Sequence, residues 1–155
     1  MKRRIFLKGS LATTTLMVAA SAGMLTPTRV LASAWPKAAF EAETEAEALN
    51  AFFGTSDVAQ SDQVSIKAPL QAENGAVVPI KVMTSLENVE GIAICAIKNP
   101  RPYTTSLRVS GGGGGLYSTR IKMGQTSPVN CYVKAGGKLY MASQEIKVTV
   151  GGCGG

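Results

Sequence analysis

Val129-Asn130-Cys131-Tyr132-Val133-Lys134-Ala135-Gly136-Gly137-Lys138-Leu139-Tyr140-Met141-Ala142 reads as a strand, a glycine turn and a second strand. Residues 129–134 alternate, with Val129, Cys131 and Val133 on one side, as side chains with a period of two do on a strand. Gly136-Gly137 supplies the turn. The pattern repeats outward from this hairpin. Glu145-Ile146-Lys147-Val148-Thr149-Val150 alternates and closes the sheet region. Gly91-Ile92-Ala93-Ile94-Cys95-Ala96-Ile97 is apolar throughout, which predicts a strand buried on both faces. Val64-Ser65-Ile66-Lys67, Val77–Val82, Leu107–Val109 and Tyr117–Met123 add further strands. Pro69, Asn74-Gly75 and Asn99-Pro100-Arg101-Pro102 punctuate them, and Pro79 fits an edge or a bulge. About seven short strands at regular spacing predict an all-β sandwich over residues 55–150.

A helix is expected before the sandwich, over residues 35–54. Pro36 suits a first turn. Glu41, Glu43, Glu45 and Glu47 interleave with alanines, and Phe40, Ala48, Leu49, Phe52 and Phe53 form an apolar stripe. Gly54 is a natural stop. The four glutamates read as a solvated face.

Residues 1–34 read as a cleavable signal peptide and belong outside any argument about fold. Lys2, Arg3, Arg4 and Lys8 make a positive start, a weakly apolar stretch runs from Leu11 to Leu25, and Ala32-Ser33-Ala34 is a small-x-small cleavage site. The stretch is rich in Thr, Ala, Ser and Gly, whereas a membrane span needs about 20 strongly apolar residues. Arg3-Arg4-Ile5-Phe6-Leu7-Lys8 matches the twin-arginine export signal, so the periplasm is the expected destination. The formal charge of +6 is mostly signal. Five of the sixteen basic residues lie in it with no acid, which leaves eleven basic against ten acidic residues in 35–155. That balance does not make the concentrated basic surface a nucleic acid needs. The chain has no histidine, so nucleophile–histidine catalysis and histidine metal sites are excluded.

The sequence closes on Val150-Gly151-Gly152-Cys153-Gly154-Gly155. Glycine has nothing to pack and loses the most freedom on ordering, so residues 151–155 are expected to form a flexible arm that presents Cys153. Ile146, Val148 and Val150 share the strand face that anchors it, and three residues more carry the sulfur about 10 Å past the sheet. A free cysteine has a pKa near about 8.5 and is activated by a cation, a metal or a helix amino terminus. Residues 151–155 hold none of these, so the chemistry is expected from enzymes that bind the arm. Gly151, Gly152, Gly154 and Gly155 remove bulk around the sulfur and let a pocket close on bare backbone. Two rival readings are a periplasmic thiol redox protein and a purely structural sandwich. The first lacks a C-x-x-C motif or any nearby resolving thiol. The second leaves the tail unexplained.

The tail resembles that of the SoxY family, the sulfur carriers of thiosulfate oxidation. Trp35-Pro36-Lys37-Ala38-Ala39-Phe40, Glu73-Asn74-Gly75-Ala76-Val77-Val78-Pro79, Ser118-Thr119-Arg120-Ile121-Lys122-Met123-Gly124 and Val133-Lys134-Ala135-Gly136-Gly137-Lys138-Leu139-Tyr140 resemble the same family. The resemblance implies an immunoglobulin-like sandwich and a non-enzymatic role without a cofactor, with Cys153 as the covalent attachment point. It also implies partners: SoxZ as second subunit, a haem-containing SoxAX that joins thiosulfate to the cysteine, SoxB that hydrolyses off the terminal sulfone as sulfate, and in some systems a sulfane dehydrogenase.

Cys95 and Cys131 depart from a family that needs only the tail cysteine. An oxidising destination favours a disulfide between them, and folding in a reducing cytosol before export favours two buried thiols packed as small hydrophobes. Gly111–Gly115 lacks the Lys-Ser/Thr of a phosphate-binding loop and reads as a connection between strands. Arg120 and Lys122 share a strand face that is either solvated or used to dock a partner or attract an anionic adduct. Tyr103, Tyr117, Tyr132 and Tyr140 are expected in packing and subunit contacts.

Overall fold

The apolar run at residues 91–97 becomes the middle of the molecule because both of its faces are covered. In the computed structural model, which describes residues 35–111 and 113–149, two helices precede nine strands. The helices are α1 (Lys37–Glu41) and α2 (Glu45–Phe53). The strands are β1 (Val58–Gln60), β2 (Val64–Lys67), β3 (Gln71–Ala72), β4 (Val78–Thr84), β5 (Val89–Ala96), β6 (Tyr103–Arg108), β7 (Leu116–Ile121), β8 (Ser127–Ala135) and β9 (Lys138–Val148). One sheet runs β1-β9-β8-β5-β6 with β3 against β9, and the other runs β2-β4-β7. The two sheets enclose a core that includes Ile80, Val82, Ile92, Ile94, Val129, Val133 and Ile146. The helices cover the opposite face of the larger sheet, where Ala48, Leu49, Phe52 and Phe53 meet Ala93, Cys95, Tyr103, Tyr132 and Leu139. Thus β5 sends Ile92 and Ile94 into the sandwich and Ala93 and Cys95 towards the helices. This is an all-β, immunoglobulin-like sandwich with a helical layer on one side.

The expected single helix is two. The chain leaves helical geometry at Ala42 (φ −59°, ψ 138°) and re-enters at Thr44, whose hydroxyl accepts from the Glu47 backbone N–H while the Glu47 carboxylate accepts from the Thr44 N–H. This capping box satisfies two amides that a helix start leaves orphaned. Thr44-x-x-Glu47 was legible as a start signal inside the supposed helix. The stop at Gly54 is as expected, with φ +77° and its N–H bonded to the Asn50 carbonyl. The last helical carbonyls are met from the sheet. Arg108 donates to Phe52 O and stacks 4.5 Å from the Phe52 ring, and Lys134 donates to Phe53 O. At the other end of α2, Glu45 accepts from Tyr132 and Asn130 on β8.

Residues 139–142 and 145–150, read as separate strands, correspond to the single strand β9, which runs on to Val148, with Val150 outside the described residues. Strands β1 and β3 carry no alternation and pair parallel with β9 from flanking loops. Pro79 lies inside β4, but β2 reaches only as far as Lys67 opposite Lys81, so one side of Pro79 has no strand to bond. The Gly111–Gly115 connection carries the chain from β6 in one sheet to β7 in the other. Gly114 has φ +118°, and a Cβ there would stand 2.9 Å from Val89 Cβ, so this position needs glycine for both conformation and space.

Candidate functional site

Cys153 and its four glycines lie outside the described residues, as do Val150 and residues 1–34. What the structure does describe is the root from which residues 150–155 depart, and that root is hydrogen-bonded on both sides. On one flank the Thr126 hydroxyl takes the Val148 N–H at 3.0 Å and reaches back to the Val148 carbonyl at 3.5 Å. On the other flank Lys147 N–H donates to Leu70 O and Thr149 N–H to Ala72 O, with the Thr149 hydroxyl on the same oxygen. These bonds come from β3 and the turn before it. The irregular segment 68–77 is therefore the second wall of a slot that holds the end of β9.

Gly75 closes the slot. A Cβ on it would overlap the Met123 carbonyl oxygen and stand 2.9 Å from Val148 Cγ1. Its own carbonyl accepts the Met123 N–H at 2.7 Å, and Asn74 folds the turn through its side chain to Ala76 N–H. The Asn74-Gly75 pair is thus not a simple hairpin turn but the floor under Val148. One loop further, Asn99 staples two segments, donating to Lys122 O and accepting from Gly124 N–H, while Gln125 donates to Lys98 O and Ser127 accepts from Lys98 N–H. Sequence reading missed Thr126, Asn99 and the role of Gly75. No pattern marks a polar residue just outside a strand as a clamp, because the clamp exists only once distant segments meet.

The slot fixes the chain through Thr149. Cys153 is four positions beyond Thr149, which sets an upper limit of about 14 Å on its distance from that point.

The other two thiols do not meet. Cys131 stands opposite Ile94 in the β5–β8 ladder, and Cys95 stands opposite Asn130. Cys131 therefore faces the sandwich core and Cys95 faces the helices. Both are free and fully buried. A disulfide would have to pass through the sheet, so the disulfide reading is not realised and the alternative of two packed thiols is. Burial pushes the Cys131 thiol up to about 12. Burial first, then the nearby Glu45 carboxylate and Cys131, raise Cys95 well above the usual thiol range. Neither supplies a thiolate at neutral pH, and a thiolate is the nucleophile. Among the described residues no group of three or more Cys, Asp or Glu is placed to hold a metal ion.

Arg120 is exposed on the outer face of β7. Lys122 follows the strand and lines an open cleft with Asn99, Pro100, Arg101, Tyr103, Thr104 and Gly124. Tyr103 and Tyr132 pack under the helices, Tyr117 bonds Thr105 at 2.9 Å, and Tyr140 packs half-buried against the sandwich core.

The final strand of the sandwich is thus bonded on both flanks through Thr149, four positions before Cys153 in the sequence. Comparison with known proteins places the chain. The family model "Sulfur oxidation protein SoxY" matches residues 49–153, from the middle of α2 to Cys153 itself, and the chain belongs to this family. The solved structure of the sulfur carrier protein SoxY from Chlorobium limicola f thiosulfatophilum is 40% identical, with a TM-score of 0.60, over 66% of this chain and 94% of that one. A superoxide reductase (neelaredoxin) from Ignicoccus hospitalis aligns over 56% of this chain and 80% of its own at 15% identity and a TM-score of 0.50, a likeness of fold alone. Among curated proteins none matches the chain. The family carries a sulfur-oxidation carrier role and membership of a system of partner proteins.

Proposed function

We propose that Cys153 is the covalent attachment point for sulfur intermediates of thiosulfate oxidation, and that residues 150–155 act as an arm presenting them to partner enzymes in the periplasm. The observation that carries this reading is the match to the SoxY family ending on Cys153, at the end of a strand clamped through Thr149. A fixed base with a short arm limits where the sulfur can be, which turns its encounters with an enzyme cleft into short-range ones.

The Cys153 thiol and thiosulfate join with formation of a sulfur–sulfur bond, releasing one proton and two electrons, and the haem enzyme SoxAX is the electron acceptor. Water then attacks the terminal sulfone in SoxB, the bond between the two outer sulfurs breaks, and hydrogen sulfate leaves while Cys153 retains a persulfide. A sulfane dehydrogenase oxidises that remaining sulfur where the system includes one. The carrier itself supplies no general base and no redox centre. Residues 1–34 direct export by the twin-arginine route, and SoxZ travels with the folded chain as its second subunit.

The test is intact-mass measurement on the purified protein and its Cys153→Ser variant with purified partner enzymes. Adducts on Cys153 that a reductant removes, and loss of thiosulfate-dependent turnover in the serine variant with folding unchanged, are expected. Turnover that survives the substitution sinks the assignment.

A further inference from the structure

The outer face of the three-stranded sheet is covered by nothing among the described residues. Register fixes its members: Ser65 and Lys67 from β2, Pro79, Lys81 and Met83 from β4, and Leu116, Ser118 and Arg120 from β7. All are exposed. Its charges are of one sign. Lys67 and Lys81 are direct cross-strand partners, and Arg120, opposite Pro79, is one rung away. Like charges directly opposite on a sheet repel and cost stability. Among the described residues none of the three pairs with a carboxylate, since the ion pairs there are Lys37–Glu41 and Lys134–Glu90. Glu41, Glu43 and Glu47 are exposed on the helical layer, while Asp62, Glu73, Glu87 and Glu145 are exposed in connecting segments and on β9.

The cations are also placed along the strand. They occupy the rungs nearest the slot, whereas Met83 and Leu116 face each other at the far end. From Lys67 the chain runs through Ala68 and Pro69, which with Pro79 and Lys81 line a shallow groove, to Leu70. Leu70 is 75% exposed, and its carbonyl holds the Lys147 N–H at the root of the arm. A cationic patch with an apolar edge therefore leads directly to the point where the arm departs.

We propose that the slot-side half of this face, Lys67, Lys81 and Arg120 with Leu70 at its edge, docks an acidic protein surface beside the cleft of an enzyme that acts on Cys153. The inference rests on the carrier reading. Docking there fixes the base of the arm next to the partner, so that a reach of about 14 Å suffices for delivery. One-signed patches of this kind act mainly on encounter: they raise association rates at low salt and lose the effect as ionic strength rises.

The experiment measures two rates by intact mass, charging of Cys153 from thiosulfate by the haem enzyme and release of sulfate by the hydrolase, at low and high salt. The carrier is used as its full heterodimer, as wild type, Lys67→Glu/Lys81→Glu, Lys81→Glu alone, and Glu43→Lys on the helical layer as control. The double variant keeps a like-charge pair, so its fold is under the same repulsion as the wild type. At low salt it is expected to slow at least one of the two rates by about tenfold and to flatten its salt dependence, while Glu43→Lys leaves both unchanged. Lys81→Glu alone creates an opposite-charge pair with Lys67 and is expected to melt higher while still slowing the same step, which separates docking from stability. Wild-type rates and salt dependence in the double variant overturn the proposal. So does loss of the second subunit from the double variant, because the face is then the heterodimer interface. A wild type that acquires no adduct refutes the carrier reading itself, before any variant is compared.

Discussion

Strand β9 has a glycine turn near each end, and the two turns need their glycines for opposite reasons. Gly136 and Gly137, before its start, have φ of +56° and +77° and nothing within 4 Å of where a Cβ would stand. They are needed for conformation. Gly75, against its end, is not in the left-handed region, but a Cβ there has no room beside Met123 and Val148. It is needed for space. A conformational glycine is a local matter that a neighbouring residue type can partly replace. A spatial glycine belongs to three segments at once, and in this protein those segments are the walls of the slot that holds the end of β9.

The sharpest way to break this distinction is Gly75→Ala. It is expected to cost about 3 kcal/mol, the upper part of the range for overpacking, because the crowding atom is a backbone carbonyl that cannot rotate away. Chemical denaturation measures the loss. Turnover is expected to fall as well under conditions where the variant is folded, since Val148 and the root are displaced. A stable Gly75→Ala variant with full turnover would show that the slot yields.

Cys131, midway along the neighbouring strand and opposite Ala142 on β9, tests whether the sheet between the two ends is as closed as its burial implies. Its thiol is raised from 9.0 to about 12 in the folded chain. The folded state therefore holds this proton over a window in which the unfolded chain has released it. Stability from this group is complete below pH 9.0 and is lost as pH climbs towards about 12. The slope in that window is up to about 1.4 kcal/mol per pH unit. Cys95 acts in the same direction. Denaturation midpoints followed from about pH 8 upward, just below the ordinary thiol range, in the wild type and Cys131→Ala, are expected to show a shallower alkaline decline in the variant. Identical slopes would mean that water reaches the thiol.

Thr126→Val removes the hydroxyl that serves both the N–H and the carbonyl of Val148. The expected loss is about 1 to 2 kcal/mol, the cost of leaving such a group unpaired, with hydrogen exchange at the Val148 amide rising more than at amides near Gly137. Uniform exchange along β9 would count against a locally clamped end. The smallest effect is expected at the other turn. Gly137→Ala costs about 1 kcal/mol through its left-handed backbone, and Gly137→Asn costs less because asparagine tolerates that region. A larger loss at Gly137 than at Gly75 would reverse the comparison.

Much of the architecture was legible because it depends on near neighbours. Period-two alternation marked β2, β4, β8 and the end of β9, and the unbroken apolar run at residues 91–97 marked a strand covered on both sides. The Gly54 stop and the Gly136-Gly137 turn followed from backbone preference alone. The helix break at residues 42–44 was written in Thr44 and Glu47 but was masked by the surrounding alanines. Strands β1 and β3 left no pattern, since two or three residues pairing with β9 need no alternation.

The sequence by itself determined the sandwich, the absence of histidine and the glycine-bracketed Cys153. These are properties of composition and of residues close in the chain. Only the tertiary structure decided that Cys95 and Cys131 face opposite sides of one sheet, because a register is a relation between strands far apart in sequence. It alone placed Lys67, Lys81 and Arg120 on one exposed face. It alone made Gly75, Thr126, Leu70 and Ala72 the walls of a slot, since space and hydrogen-bond partners are shared among segments that meet only when the chain has folded.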